Sequence, residues 1–377
     1  MRQSLRKINF FCLINVLAVL LFLATACQQL TIIDDENAFP LESLESKSDE
    51  ISIVLIQHDS CPWSYFWCAI EQGVSDAAKN FNVEVTPERP DRGKYLPKDD
   101  VDIQKTKFDE TLQKCPDGIG ITLVDREKLK DSINKPFCKP GKESNESPRP
   151  IPLIIYNSNS SSKKDGNSYE TSYGTYIGQD DEIAGYKAGL RLAEKVKKLS
   201  SVGEIIKGVC IMQASTAENL RDRCMGFELA MNENGIVPKI LPTTSMTIDP
   251  VTIKEDIKTY YKNNSDTSIF LTLGPIGAVP FYEFVKEQKL QRGTFVHGTF
   301  DLSKIIIEKI EDEITEFAVD QQPYLQGYLT VQWLAWKIRH NLEPYFEDDE
   351  EKTIATGPFF VDLTNLNQAK TQVGQYR

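Results

Sequence analysis

The feature that most constrains the fold is a regular alternation of short apolar segments with longer amphipathic ones, repeated along most of the chain. Ile51-Ser52-Ile53-Val54-Leu55-Ile56 is typical of a buried strand, and Ser64 to Asn80 repeats apolar and small residues at helical spacing. The same two patterns recur as far as the apolar run Phe317 to Val319 and the helical repeat Tyr324 to Trp336. This alternation predicts an α/β fold with mostly parallel sheets and right-handed crossovers.

The length of the chain predicts two lobes. The 377 residues exceed the size of about 250–300 residues at which single cores stop growing, and the alternation fills two similar halves. We therefore predict two similar doubly wound, three-layer α/β/α lobes. Two proline-rich, charged segments in the first half, Thr86 to Asp100 and Lys135 to Pro150, are predicted to be surface loop insertions, and the polar run Ser158 to Ser168 a flexible loop.

The first residues predict export. A basic n-region, an apolar h-region and a small-residue cleavage site follow one another: Arg2, Arg6 and Lys7, then Phe10 to Leu23, then Ala24-Thr25-Ala26-Cys27. A cut before Cys27 fits an A-x-A site, and it also fits a lipobox whose cysteine becomes the lipid anchor, although Ala24 stands where leucine is commoner. The apolar run is shorter than the ~20 residues of a membrane span. We predict a signal peptide at 1–26, a lipid anchor at Cys27 and a tether at 27–50, which places the protein in the periplasm or on the outer face of the cytoplasmic membrane.

Composition and motifs exclude several classes of function. The chain has 43 basic and 55 acidic residues and no basic stripe, which argues against nucleic acid as a partner. It contains no G-x-S-x-G elbow, no phosphate-binding G-x-x-x-x-G-K and no H-E-x-x-H, so we predict that it is not an enzyme. With three histidines and no C-x-x-C pair, no metal site and no cofactor are predicted.

Six cysteines follow Cys12 and Cys27, and they allow many pairings, among which the sequence does not choose. Cys115 and Cys138 are candidates for one disulfide, because they lie in or beside loop-like segments of the same half. Cys210 lies in an apolar strand and is predicted to be a buried thiol. The remaining three are Cys61, Cys68 and Cys224.

A polar segment follows the apolar run Phe317 to Val319 and contains Asp320, Gln321 and Gln322 at the change from strand to helix. In open α/β sheets, ligands bind beyond the carboxyl ends of the strands, so these residues are well placed to contact one. The alternative is a solvated loop whose glutamines cap the next helix.

Six motifs in sequence order make the chain resemble the type I periplasmic binding proteins, specifically the ribose-binding-protein-like, sugar-binding group that serves ABC importers. The resemblance extends from about Ile51 to the C-terminus, outside the two insertions. Its motifs are Phe66-Trp67 with Glu71-Gln72-Gly73, Ile151-Pro152-Leu153-Ile154-Ile155, Tyr176-Ile177-Gly178-Gln179-Asp180-Asp181 with Ala184-Gly185, Arg223-Cys224-Met225-Gly226-Phe227, Thr299-Phe300-Asp301, and Asp320-Gln321-Gln322-Pro323-Tyr324-Leu325-Gln326-Gly327.

This resemblance implies three passages of the chain between the lobes, near Gln179-Asp180, Gln321-Gln322 and Val361-Asp362. The N-terminal lobe is then 51–179 plus 322–361 and the C-terminal lobe 180–321 plus 362–377, with Asp180 and Gln322 as hinge residues. It also implies a ligand in the cleft between the lobes, with contacts at strand ends. The implied contacts are aromatic walls at Trp63, Phe66, Trp67 and Phe300, and polar groups at Asn157, Ser158, Arg223, Asp301 and Gln321. For Asp301, capping of a helix from Leu302 to Ile310 is a further expected role.

The chain departs from these relatives at two places. Many carry an Asp-Arg pair where this chain has Asn157-Ser158, and a polar Asn-Asp loop where it has Leu273-Gly274-Pro275. The loss of these groups argues against ribose and leaves a less polar, larger or modified sugar open.

The function implied is capture of a sugar or sugar-like molecule by an exported monomer, which delivers it to an ABC permease with a separate ATPase. The alternatives are a sensor that presents its ligand to a receptor or histidine kinase ectodomain, and a glycan-processing enzyme.

Overall fold

Two six-stranded sheets form the framework of the described part of the chain. The computed structural model describes residues 50–61, 64–89, 100–134, 136–138, 147–159, 174–198, 205–214, 217–244, 249–346 and 352–377. The predicted signal, Cys27, nearly all of the tether and Trp63 lie outside these residues. The strands are β1 (Ile51–Ile56), β2 (Val83–Glu88), β3 (Gly118–Leu123), β4 (Leu153–Asn159), β5 (Thr175–Gly178), β6 (Lys207–Met212), β7 (Val237–Pro242), β8 (Thr267–Thr272), β9 (Val296–Phe300), β10 (Phe317–Asp320), β11 (Thr353–Ala355) and β12 (Phe359–Val361).

The two sheets have matching strand orders. The first is β11-β5-β4-β3-β1-β2 and the second β12-β10-β9-β8-β6-β7. All neighbours in the first sheet are parallel, and in the second only β12 runs antiparallel, against β10. The prediction of two doubly wound α/β lobes is confirmed.

Helices cover both faces of each sheet. They are α1 (Tyr65–Phe81), α2 (Asp100–Lys114), α3 (Arg126–Ile133), α4 (Asp181–Lys197), α5 (Glu218–Glu233), α6 (Pro250–Asn263), α7 (Pro275–Glu287), α8 (Lys304–Glu311), α9 (Pro323–His340) and α10 (Leu366–Lys370). In the first lobe, α1 and α9 pack on one face and α2 and α3 on the other. In the second, α4 and α5 pack on one face and α6, α7, α8 and α10 on the other.

Burial on both faces explains why β1 is apolar from Ile53 to Ile56. Ile53 and Leu55 face the layer of α1 and α9, while Val54 and Ile56 face the layer that contains α2 and α3. Successive side chains of a strand point to opposite faces, so a strand between two helical layers is buried on both sides and favours apolar residues at consecutive positions. The continuous apolar run is therefore the sequence signature of a central parallel strand.

Glycines let paired helices of each lobe approach closely. A Cβ on Gly185 of α4 would overlap the carbonyl oxygen of Arg223, and one on Gly226 of α5 would overlap that of Glu182. This close packing fixes the helix that carries Arg223. The first lobe has the same arrangement between α1 and α9, at Gly73 and Gly327.

The chain passes between the sheets three times. The first passage follows β5 and the second follows β10. The third lies between Ala355 of β11 and Phe359 of β12, because Phe359 to Val361 pair with β10. It therefore precedes the expected position at Val361-Asp362 by a few residues, and β12 belongs to the second lobe. The reason is that strands of three residues carry no periodic pattern.

Some residues of the predicted loops belong to strands. Thr86 to Glu88 continue β2, and Ser158 and Asn159 complete β4. In the second insertion, Phe137 forms an isolated antiparallel bridge with Pro150. Residues 90–99, 139–146 and 160–173 lie outside the described part of the chain.

Three disulfides join the six cysteines: Cys61 to Cys68, Cys115 to Cys138, and Cys210 to Cys224. The structure places the candidate pair Cys115 and Cys138 together. The prediction of a buried thiol at Cys210 is wrong: the residue is buried in β6, but Cys224 of α5 packs against it across the interface between helix and sheet. The apolar sequence around Cys210 indicates burial and gives no information about a partner from another element.

Candidate functional site

A cavity of about 600 Å³ lies between the two lobes, at the carboxyl ends of the parallel strands. Both lobes contribute to its wall. The side of the first lobe comprises His58, Asp59, Ser64, Tyr65, Phe66, Trp67, Cys68 and Asn157. The side of the second lobe comprises Gln213, Asn219, Leu220, Arg223, Leu273, Gly274, Pro275, Ile276, Asp301, Ser303, Ile305 and Gln321.

Arg223 provides a fixed positive charge on the wall of the second lobe. Its Nε donates a hydrogen bond to Asp181 Oδ1 at 2.8 Å and its Nη1 donates to the carbonyl oxygen of Leu273 at 3.2 Å. The guanidinium lies 4.4 Å from the centroid of the Phe300 ring, within range of a cation–π interaction. These contacts use only part of the donor capacity of the guanidinium, so Arg223 keeps N–H donors for a ligand in the cavity that it lines.

Asp301 follows β9 and is held in place from the hinge. Gln321 Nε2 donates a hydrogen bond to Asp301 Oδ1 at 2.6 Å, and the backbone N–H of Asp301 donates to the carbonyl oxygen of Val319 at 2.8 Å. Burial raises the pKa of Asp301 to about 6, against the opposing effects of the Arg223 charge and the hydrogen bond from Gln321. The helix cap expected of Asp301 is supplied instead by Ser303, whose Oγ accepts from Ile306 N, because the helix begins two residues later than expected.

A network of amides connects the first lobe to the hinge. Asn157 Nδ2 donates to Gln326 Oε1 at 3.1 Å, and Gln326 Nε2 donates to the carbonyl oxygen of Gln321 at 3.1 Å and to Thr356 Oγ1 at 3.2 Å. Thr356 Oγ1 in turn donates to the carbonyl oxygen of Gln321 at 2.8 Å. Gln326 thus links Asn157 of the first lobe to the backbone of Gln321 in the second.

Two buried amide oxygens at the cavity have no hydrogen-bond partner within the part of the chain that the structure describes. They are Gln213 Oε1 and Gln321 Oε1, and both side chains line the cavity. An unpartnered buried acceptor destabilises a fold by about 1–3 kcal/mol. Amide side chains that turn towards a hydroxyl donor in the cavity would recover this free energy.

Aromatic rings form the opposite wall. Phe66 and Trp67, at the start of α1, line the cavity with their ring centroids 5.7 Å apart in an edge arrangement. Trp67 also packs edge-on against His58, at 4.9 Å. Aromatic faces contribute large, rigid contact areas to small-molecule sites.

Two predicted contacts lie behind the cavity wall. Ser158 is buried and its Oγ donates to the carbonyl oxygen of Leu123 at 2.9 Å. Phe300, expected as the facing aromatic wall, is completely buried beneath Arg223. Both side chains point into the lobes because strand residues alternate between faces. Trp63 is not among the described residues.

The predicted hinge residues lie at the passages between lobes. Asp180 caps α4, since its Oδ1 accepts from Ile183 N at 2.8 Å. Gln322 occupies the N-cap position of α9 in a left-handed conformation, and its side chain bonds elsewhere: Nε2 donates to the carbonyl oxygen of Thr356 at 2.6 Å. Both crossings are thus held by local hydrogen bonds.

Sequence reasoning missed Gln213, although it directly follows β6 and the strand-end rule that selected Asn157 and Asp301 applies to it. It also missed three exposed apolar side chains that line the cavity, Tyr65, Ile276 and Ile305, which belong to the first turns of helices.

The described residues contain no group of three or more His, Cys, Asp or Glu able to hold a metal ion. Among the helices of the described residues, none is long and apolar enough to cross a membrane.

Two doubly wound lobes, joined by three crossings and enclosing a polar and aromatic cavity, define the class of type I solute-binding proteins. Residues 63–341 match the family described as periplasmic binding protein domain. The chain belongs to this family.

Solved structures share the fold at low sequence identity. A carbohydrate transporter protein of Acidothermus cellulolyticus 11B, in complex with myo-inositol, is 24% identical and matches 86% of this chain and 98% of its own, with a TM-score of 0.65. The glucose-galactose binding protein GanP of Geobacillus stearothermophilus is 21% identical and matches 84% of this chain and 99% of its own, with a TM-score of 0.65.

A curated relative is the xylose/arabinose-binding protein XylF of Sulfolobus acidocaldarius, which is 25% identical over 185 residues. The match covers 48% of this chain and 44% of the relative. The chain thus spans less than half the length of that relative.

Proposed function

We propose that the chain is an extracytoplasmic solute-binding lipoprotein, which captures a sugar or sugar-like molecule in the cavity between its lobes and delivers it to an ABC permease. The observation that carries the proposal is the arrangement of Arg223, Asp301 and Gln321 opposite Phe66 and Trp67 across one cavity. Directed donors and acceptors on one side and aromatic rings on the other suit a ligand with hydroxyl groups and apolar ring faces. Relatives named for xylose and arabinose or for glucose and galactose support this ligand class.

Binding is proposed to stabilise a closed arrangement of the lobes. Hydroxyls of the ligand would accept from Arg223 and donate to Asp301 and to the amide oxygens of Gln213 and Gln321, while Phe66 and Trp67 cover a ring face. Since these groups come from both lobes, the ligand favours the form in which all of them contact it. The closed form would then be recognised by a permease with a separate ATPase, and the chain itself carries out no reaction.

Lipid anchoring rests on the sequence alone. The n-region, h-region and Ala24-Thr25-Ala26-Cys27 support export and modification of Cys27, and the acidic 27–50 segment would separate the anchor from the lobes. Mass spectrometry of the protein from membranes of an expressing bacterium tests this, because a diacylglyceryl group on Cys27 adds a defined mass to the first mature peptide.

A thermal-shift screen, followed by calorimetric titration, tests the ligand class. We would use the mature chain carrying Cys27→Ser, with a panel of pentoses, hexoses, inositols, nucleosides and amino acids. A ligand at a hundredfold excess over its Kd stabilises the fold by about 2.7 kcal/mol. We expect a saccharide or polyol to bind.

Matched variants locate that binding in the cavity. Arg223→Ala and Asp301→Asn should each weaken it at least about tenfold, because each removes a charged hydrogen-bond partner, a loss of about 1.5–3 kcal/mol. Arg221→Ala and Asp312→Asn alter surface ion pairs whose residues do not line the cavity, and they should leave the affinity unchanged. Binding by amino acids or nucleosides alone, or equal losses in the control variants, would contradict the proposal.

A further inference from the structure

The cavity has a buried polar floor and an exposed apolar mouth. Arg223 and Gln321 are 3% and 2% exposed, so the polar groups lie deep between the lobes. Three large apolar side chains that line the same cavity are far more accessible: Tyr65 is 50% exposed, Ile276 40% and Ile305 36%. A ligand that reaches from the floor to the mouth therefore passes from hydrogen-bonding groups to apolar surface.

The mouth residues occupy the first turns of three helices. Tyr65 is the first residue of α1, and Ile276 and Ile305 are the second residues of α7 and α8. Helix starts ordinarily favour polar and acidic side chains, yet none of these three first turns contains an acidic residue. Each lobe thus has an exposed apolar side chain in the first turn of a helix, where polar residues are usually preferred.

The apolar surface continues inward from the mouth. Leu273, which directly follows β8, and Pro275, the first residue of α7, also line the cavity. The cavity volume of about 600 Å³ lies within the range of about 300–1,000 Å³ for sites of drug-sized ligands. The cavity therefore has room, and an apolar wall, for a part of the ligand that extends beyond the polar floor.

We propose that the ligand is a glycoside with an apolar aglycone. The sugar part lies on Arg223, Asp301 and Gln321, and the aglycone lies among Tyr65, Ile276 and Ile305. This inference rests on the proposed sugar-binding function and specifies its substrate class. Exposed apolar side chains from two lobes gain nothing from a free sugar whose hydroxyls extend to solvent, whereas an alkyl or aryl group would bury them.

Paired glycosides that differ only in the length of the alkyl group test this proposal. Calorimetric titration of the mature chain carrying Cys27→Ser would compare methyl and butyl glycosides of D-xylose, L-arabinose, D-glucose and D-galactose, in both anomers. Each fully buried methylene increases affinity about fourfold. For a partly open mouth, we expect a butyl glycoside of at least one sugar to bind about tenfold or more tightly than its methyl partner.

Variants identify the surface that carries this gain. In the double variant Ile276→Ser with Ile305→Ser, the ratio of butyl to methyl affinity should fall towards one, and serine is well tolerated at helix starts. Ile205→Ser is the matched control. Ile205 is exposed and precedes β6, so it lies at the amino ends of the strands, whereas the cavity lies at their carboxyl ends. This control variant should leave the ratio unchanged.

The outcomes separate this inference from the proposed function. Free sugars and methyl glycosides that bind without any gain from the butyl group would overturn the aglycone site and leave the sugar-binding function standing. A gain that persists in the double variant would also overturn it. If no sugar or glycoside binds at all, both proposals fail.

Discussion

Asn157 and Asp301 occupy corresponding positions in the two lobes and adopt the same unusual backbone conformation. Asn157 is the third residue from the carboxyl end of β4 and Asp301 directly follows β9, and these strands have the same place in the two strand orders. Their φ angles are 61° and 59°, in the left-handed region that L-residues rarely adopt. Both side chains line the cavity. The same turn of the chain thus presents one polar group from each lobe to the site.

This conformation predicts that Asp301→Gly is more stable than Asp301→Ala, the reverse of the usual order of these two residues in a helix. Both Asp301→Gly and Asp301→Ala remove the carboxylate, but alanine retains a Cβ, which costs about 1–2 kcal/mol in the left-handed region. The glycine variant should therefore have the higher free energy of unfolding, by about 1 kcal/mol in chemical denaturation. At Glu308, an exposed position within α8, the order should reverse, because glycine is about 1 kcal/mol worse than alanine in a helix. Equal stabilities of the two Asp301 variants would show that the position is not strained.

The disulfide between Cys61 and Cys68 lies at the cavity, and we predict that its removal lowers both stability and ligand affinity. Cys68 adjoins Trp67, and Cys61 belongs to the loop that follows β1. The double variant Cys61→Ser with Cys68→Ser should lose about 2 kcal/mol of stability by the chain-entropy relation. It should also lose affinity for the ligand, because the start of α1 carries the aromatic wall.

The disulfide between Cys115 and Cys138 provides the control for that experiment. It closes a longer loop, with a sequence separation of 23 against 7, and neither cysteine lines the cavity. Its double serine variant should lose about 3 kcal/mol of stability with ligand affinity unchanged. If both variants lose affinity in proportion to stability, the first disulfide has no specific role at the site.

His297 predicts a loss of stability in acid. It is fully buried, with Nε2 3.0 Å from Thr272 Oγ1 and Nδ1 2.9 Å from Thr315 Oγ1, and burial lowers its pKa to about 3. The unfolded chain binds a proton near pH 6.5 and the folded chain does not. Stability from His297 is therefore present above about pH 6.5 and falls by up to about 1.4 kcal/mol per pH unit towards pH 3.

Comparison with His297→Gln isolates this contribution from the carboxylates that also titrate. Denaturation at pH 7 and pH 5 should show a loss about 2 kcal/mol larger in the natural chain than in the variant. Glutamine keeps hydrogen-bonding groups for the two threonines, so the variant is expected to fold. The same pH dependence in both proteins would mean that His297 does not contribute.

The sequence predicts the fold well because the relevant patterns are local. The apolar run of β1 and the small residues of α4 each report their own burial, and the lobes follow from their order. The errors concern relations between distant elements. Cys210 pairs with Cys224 because α5 packs on β6, and no pattern near Cys210 indicates that contact.

The candidate site is less predictable than the fold, since neighbouring residues at a strand end have opposite surroundings. Phe300 lies in the core and Asp301 faces the cavity because the backbone turns into the left-handed region between them. A sequence motif that contains both residues therefore locates the site, but it does not show which of the two side chains contacts the ligand. Gln213 belongs to none of the motifs, but it directly follows β6, so a search of all strand ends would have found it.

The pKa of Asp301 predicts a pH dependence of ligand affinity. Burial raises this pKa to about 6, so the carboxylate is ionised at neutral pH and protonates in mild acid. If a hydroxyl of the ligand donates to Asp301, as proposed, binding favours the ionised form, and protonation before binding weakens it. The affinity should be constant above about pH 7 and fall by up to about tenfold per pH unit well below pH 6. Titrations in the natural chain and in Asp301→Asn check this, because the variant has no carboxylate to protonate and its weaker binding should not change over the same range. An affinity that rises in acid, or an equal fall in the variant, would show that Asp301 does not accept the ligand's hydrogen bond.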